Sequence, residues 1–235
     1  MAAGAVKILI LVGFAVLAVA LVAVLSFPQT GGPLQDRPLS PRPTQSTPPR
    51  IAVFGTSLSL RAKWPDNLTT TLQTCGIKAA QIARFAKAGA NSSWGVKEVE
   101  AVVNYQPDVI IIEFGINDGD LFDGLWPGQS LRNHQAIITG LQAGAPEAAI
   151  ILLTTNPVAG LARLQRPNLR GYHKLYSDLA QKAGIGLIDG YGRWLALPGW
   201  QAHIVDGVHP DPQAEADLLT QPLTKAIATG FGAPC

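Results

Sequence analysis

The stretch Arg50-Ile-Ala-Val-Phe-Gly-Thr-Ser-Leu-Ser59 decides how the rest of the chain is read. Ile51 to Phe54 is a short apolar run that suits a strand buried on both faces, and Gly55 breaks it. Thr56 and Ser57 follow where the chain must turn. A parallel sheet presents its functional groups beyond the carboxyl ends of its strands, so a serine here faces a crevice. By itself the serine is only a hydroxyl in a turn. Residues far downstream give it meaning.

After Arg50 short apolar runs alternate with helical segments. Ala80 to Phe85, Val109 to Ile112, Ala149 to Leu153 and Ile185 to Ile188 read as further strands. Between them, Trp64 to Cys75 reads as a helix with Pro65 near its start and Gly76 as its stop. Ser92 to Val103, Leu131 to Leu141 and a segment marked by Tyr172, Leu175, Tyr176 and Leu179 carry helical spacing. A last helix follows Pro212 and runs to Gly230, with a kink expected at Pro222. Five strands alternating with helices give an α/β domain, one parallel sheet covered on both sides.

The 235 residues leave room for one such domain and extra segments. A formal net charge of +2, with no basic stripe, excludes an electrostatic nucleic-acid footprint. From Ile8 to Phe27 no charge interrupts an apolar run, and about 20 helical residues can cross a hydrocarbon core. Residues 1–27 are therefore expected to form an uncleaved membrane anchor, with cleavage as a signal after Val24-Leu25-Ser26 as the alternative. Residues 28–50 read as a linker. Its prolines (Pro33, Pro38, Pro41, Pro43, Pro48, Pro49) alternate with Gly, Ser, Thr and Gln, too little apolar surface to fold. Extended at about 3.1 Å per residue, it would hold the domain of residues 51–235 tens of ångströms from a bilayer.

The strand ends carry polar groups in a suggestive set. Ser57 follows the first strand, Gly89 the second, Asn117 and Asp118 the third, and Asp206-Gly-Val-His209 comes after the fifth. A serine hydroxyl is a weak nucleophile until a base lies within hydrogen-bond reach. His209 can take the proton on one ring nitrogen while Asp206 holds the other. The oxyanion formed by attack on an ester needs fixed donors, which the amides of Ser57 and Gly89 and the carboxamide of Asn117 can supply. Each element has a plainer reading: a turn into a helix, a glycine for a tight turn, a helix cap. His134, His173 and His203 lack such partners and read as packing or surface residues. Asp118, Asp120 and Asp123 do not have calcium-loop spacing, so no metal is expected, and nothing points to a cofactor.

In these four blocks the chain resembles the SGNH/GDSL hydrolases, serine esterases, lipases and carbohydrate deacetylases. Gly55-Thr-Ser57-Leu58, Gly89, Gly115-Ile-Asn117-Asp118 and Asp206-Gly-Val-His209 stand in the family's order across residues 51–230. The resemblance implies a flavodoxin-like three-layer fold with strand order 2-1-3-4-5. It also implies Ser57 as nucleophile, Gly89 and Asn117 in the oxyanion hole, and Asp206 and His209 completing the triad. Thr56 stands where the family usually has Asp, which predicts altered local hydrogen bonding with activity retained. The implied activity is hydrolysis of carboxylic esters, with short acyl groups such as acetyl on a cell-envelope polysaccharide as the expected substrate. A lipid ester is the alternative, as is a glycan-binding domain of the same fold without catalysis. Trp94 and Trp126 offer either faces for sugars or ordinary packing. The implied strand order also sets the first and last helices side by side. In an exported, oxidising setting Cys75 and Cys235 would then form a disulfide, the alternative being a buried Cys75 and a reduced tail.

Overall fold

The computed structural model describes residues 33–42 and 47–235. The expected membrane helix of residues 1–27 lies outside the described residues; among the described ones no helix is long and apolar enough to cross a membrane. Five parallel strands stand in the order β2-β1-β3-β4-β5. They are β1 (Arg50–Gly55), β2 (Gln81–Ala86), β3 (Val109–Glu113), β4 (Ala149–Thr154) and β5 (Gly186–Asp189). This is the flavodoxin-like order implied by the sequence motifs.

Alternation along the strands divides the core into two layers. Ile51, Val53, Val109 and Ile111 face one side, under α2 (Trp64–Thr74) and α9 (Pro212–Gly230). Ala52, Phe54, Ile110 and Ile112 face the other, under α3 (Ser92–Asn104), α5 (Pro127–Gly144) and α7 (Leu169–Ala183). Helix α2 buries Trp64, Leu68 and Leu72, four residues apart, and α9 buries Leu219, Leu223 and Ile227 on the facing stripe. Each such side chain contributes about 1.5–3 kcal/mol when fully removed from water. Helix α9 runs on through Pro222, so the proline lies inside the helix and does not end it. Four shorter helices escaped the sequence reading: α1 (Ser57–Arg61), α4 (Gly115–Asp118), α6 (Ala162–Gln165) and α8 (Gly190–Ala196). Each lies beyond the carboxyl end of the sheet, where the chain turns within one or two turns of helix.

Cys75, at the end of α2, and Cys235 are joined in a disulfide, with Cα atoms 4.8 Å apart. That spacing falls inside the range such bonds require. The tail crosses there because α2 and α9 pack side by side, and Phe231 and Ala233 lie against the same core layer.

Residues 33–42 do not behave as the expected spacer. Arg37 exchanges both backbone hydrogen bonds with Leu187, at 2.9 and 3.0 Å, as an antiparallel bridge on the free edge of β5. Leu39 is buried in the core. The Asp36 carboxylate accepts from the Asp189 amide at 2.8 Å and pairs with Arg193 at 2.6 Å. Although burial opposes it, these contacts hold the Asp36 carboxyl below its ordinary pKa. Arg42 donates to the carbonyls of Pro146 and Ala148, both at 3.0 Å. The prolines are spaced so that the residues between them still reach the sheet, and the strap covers an edge that would otherwise be open for pairing.

Candidate active site

Ser57 is the first residue of α1, immediately past β1, and Thr56 caps that helix by accepting from the Leu58 amide at 3.2 Å. Ser57 Oγ lies 2.8 Å from His209 Nε2. His209 Nδ1 lies 2.8 Å from Asp206 Oδ2, and Asp206 Oδ1 accepts from the amides of His209 and Val208 at 2.7 and 3.0 Å. The tight turn of residues 206–209 thus fixes the imidazole through both side chain and backbone. Partial burial works against the Asp206 carboxylate, yet the hydrogen bonds from His209 and Val208 bring its pKa down to about 2. It is therefore a fixed negative charge at neutral pH, able to hold Nδ1–H and favour the imidazolium.

The other sequence-predicted residues lie on two neighbouring segments beyond β2 and β3, joined by a hydrogen bond. Gly89 adopts a φ of +73°, a left-handed turn that side-chain-bearing residues resist. The turn lies along the end of β1, with the Lys87 amide donating to the Gly55 carbonyl at 3.2 Å. Asn117, in α4, donates through Nδ2 to the carbonyl of Ala90 at 2.8 Å. One proton of that amide is anchored to the Gly89 loop, leaving the second for a ligand.

The setting of Thr56 is explained by Glu113, the last residue of β3. The Glu113 carboxyl lies under the serine turn. Its Oε1 accepts from the Thr56 amide at 2.6 Å, the Ser59 amide at 3.2 Å and both hydroxyls, at 3.0 Å from Thr56 and 2.8 Å from Ser59. Its Oε2 accepts from the shared Thr56 hydroxyl, at 3.1 Å. Gly55 pairs with Glu113 in the parallel register, and a Cβ there would lie 2.3 Å from Oε1. Glycine at 55 is the condition for this close approach. Complete burial, partly offset by these hydrogen bonds, pushes Glu113 up to about 7. Glu215 of α9 is buried as well, and burial together with the Glu113 charge raises it well above the carboxylate range.

A second buried network supports Asn117. Asp118 accepts from the Ser92 amide and hydroxyl, each at 2.7 Å, and from the Ser130 hydroxyl. It thereby ties α4 to the starts of α3 and α5. Tyr176 accepts from the amides of Phe114 and Gly115 and lies 2.9 Å from His134 Nε2. His134 and His173 are both buried packing residues, neutral because burial depresses their pKa, to about 3 for His173. Of the two tryptophans, Trp94 packs among Phe54 and Phe114, whereas Trp126 is exposed. A cavity of about 210 Å³ adjoins Ser57 and His209, walled by Leu58, Ala62, Val205 and Pro210, with Arg61 and Glu215 at its edge.

A hydroxyl, an imidazole and a carboxylate in one hydrogen-bonded chain, beside a positive-φ glycine turn and a fixed carboxamide, define a serine hydrolase site. The model of the GDSL-like lipase/acylhydrolase family matches residues 51–216, and the chain belongs to that family. It is a carboxylic ester hydrolase. The sequence is 24% identical over 216 residues to a GDSL esterase/lipase of Arabidopsis thaliana, covering 78% of this chain and 88% of the plant protein. The fold is similar to that of a lipase/acylhydrolase from Enterococcus faecalis, with a TM-score of 0.67 at 19% identity over 75% of this chain and 96% of that one. It is also similar to the acetylxylan esterase Axe2 from Geobacillus stearothermophilus, with a TM-score of 0.64 at 17% identity over 81% and 95% of the two chains.

Proposed function

We propose that the protein removes short acyl groups, such as acetyl, from an ester carried by the cell envelope, through an acyl-enzyme on Ser57. The observation that carries this reading is the continuous Ser57–His209–Asp206 hydrogen-bond chain. His209 Nε2 takes the Ser57 proton as Oγ attacks the ester carbonyl carbon, and Asp206 stabilises the imidazolium. The carbonyl oxygen becomes an oxyanion held by the amides of Ser57 and Gly89 and the free proton of Asn117. Collapse of the tetrahedral species breaks the bond to the alkoxy oxygen, which leaves as the alcohol with the proton from His209. Water then attacks the acyl-enzyme with the same base, releasing the carboxylic acid and restoring Ser57.

Acyl length is read from the cavity beside the serine, which at about 210 Å³ is smaller than sites for drug-sized ligands. A polysaccharide is the favoured bearer of the acyl group. A lipid ester is the second reading, favoured by the apolar side chains around the opening. The complete triad speaks against a purely glycan-binding role, which would not need it. Residues 8–27 serve as a membrane anchor that keeps the exported domain at the envelope, or as a signal if cleaved. The Cys75–Cys235 disulfide supports an oxidising compartment. Rates on 4-nitrophenyl acetate, butyrate and octanoate test acyl length. The reading expects kcat/KM highest for acetate, and a preference for octanoate would overturn it in favour of the lipid ester.

A further inference from the structure

Large apolar side chains stand out of the domain at the end where the site opens. Leu121, Phe122 and Trp126 lie between α4 and α5, Leu161 just before α6, and Val205 in the turn leading to His209. All five are 62–83% exposed. Their loops are held to one another. The Leu121 amide donates to the Gln165 carbonyl at 2.8 Å, and the Ala159 amide to the Gly207 carbonyl at 2.8 Å. Arg166 pairs with Asp120 at 2.7 Å and donates to the Ile116 carbonyl at 2.9 Å. Arg166 and Asp120 are thus engaged between the loops while these apolar side chains are held in water. Such a rim marks a contact surface.

The chain's point of entry lies at the same end. A Cβ on Gly192, in α8, would lie 2.8 Å from Pro33 Cβ, which places Pro33 beyond the carboxyl end of β5. From there the strap runs antiparallel to β5, away from the site. Pro33, the first described residue, therefore stands at the end that carries Ser57 and the apolar rim. The apolar run closes at Phe27, and six residue steps span at most about 20 Å when fully extended. Docking of the strap has removed most of the spacer that would have let the domain stand off.

We propose that the active-site end of the domain lies on the surface of the lipid bilayer, with this apolar rim seated in the interface, and that the ester it hydrolyses is presented by that surface. The proposal rests on the readings of residues 8–27 as an anchor and Ser57 as nucleophile. An exposed tryptophan among aliphatic and phenylalanine side chains is the composition that favours the boundary between headgroups and acyl chains.

The test uses the full chain reconstituted in phosphatidylcholine–phosphatidylglycerol vesicles, with part of the lipid brominated in its acyl chains. Bromolipid should quench part of the tryptophan emission, and Trp126→Tyr should remove most of that quenched part, since Trp64 and Trp194 are buried and Trp94 and Trp200 half-buried. In the same vesicles, Phe122→Ser combined with Leu161→Ser should lower hydrolysis of a long-chain alkyl acetate at least tenfold. Turnover of water-soluble 4-nitrophenyl acetate should stay within twofold. Trp126 unquenched by bromolipid would overturn the proposal, including the case where a cross-linkable second copy covers it. Equal losses on both esters would overturn it too, by making the rim a subsite for any substrate. Quenching without any turnover of 4-nitrophenyl acetate would refute the esterase reading and support docking. Quenching at neutral pH by a chain that alkaline carbonate then strips from the vesicles would refute the anchor and still support docking.

Discussion

Glu113→Gln probes the support beneath the nucleophile. In the native protein this carboxyl has a pKa of about 7 against an ordinary value of 4.5, because it is wholly buried. The folded state therefore holds the proton more tightly than the unfolded chain does. The stability this confers is fully present below pH 4.5 and is lost as pH rises through 7. A gap of 2.5 pKa units, 7 less 4.5, corresponds to about 3 kcal/mol. Glutamine keeps an acceptor oxygen where Oε1 takes four of the five hydrogen bonds, and it cannot ionise. Urea unfolding from pH 4.5 to 8.5 should show wild type losing about 3 kcal/mol more than the variant across that range, with Glu215 contributing to both. Glu113→Ala differs in kind. It strands the rigid amides of Thr56 and Ser59 in a buried site, at about 1–3 kcal/mol each, and should lower kcat by loosening the Ser57 turn. Parallel stability curves for wild type and Glu113→Gln, or an alanine variant as stable and active as wild type, would refute the reasoning.

Asn117→Ala should lower kcat by about a hundredfold or more with little change in KM, as the proposed oxyanion role requires; near-normal kcat would remove it from that role. A carbon-13 titration of the Asp206 carboxyl should give a midpoint near 2, moving up toward the ordinary 3.8 in His209→Ala. The stabilisation from its hydrogen bonds is then present above 3.8 and lost as pH falls through 2, and an unmoved midpoint would mean His209 does not hold the carboxylate. Cys235→Ser opens a loop with a sequence separation of 160 and should cost at most about 5 kcal/mol in stability while sparing esterase activity. An unchanged melting temperature would show that the bond does not constrain the fold.

The candidate site residues were legible because they stand in segments that follow apolar strands. Ser57, Gly89, Asn117, Asp206 and His209 all lie beyond the carboxyl end of the sheet, whose strand order is the one the family resemblance implied. Glu113 was not legible as a clamp. Its partners Thr56 and Ser59 precede it by more than fifty residues, and only the parallel register of β1 with β3 sets it beneath them. Asp118 was visible in its motif, but its bonds to Ser92 and Ser130 depend on how α3 and α5 pack. The strap was misread for a different reason. Proline density signals a chain that cannot pair continuously, yet one bridge at Arg37, the buried Leu39, the Asp36 contacts and the Arg42 hydrogen bonds dock it. Sparse anchoring of this kind leaves no periodicity to read.

The central claim is that His209 and Asp206 activate Ser57 for acyl transfer. Its most direct measurement is the stoichiometry and site of labelling by a fluorophosphonate, read by mass spectrometry of the intact chain and its peptides. One label per chain, on Ser57, with labelling slowed at least a hundredfold in His209→Ala and abolished in Ser57→Ala, is the predicted result. Labelling of another serine, or a His209→Ala variant that reacts as fast as wild type, would contradict the account.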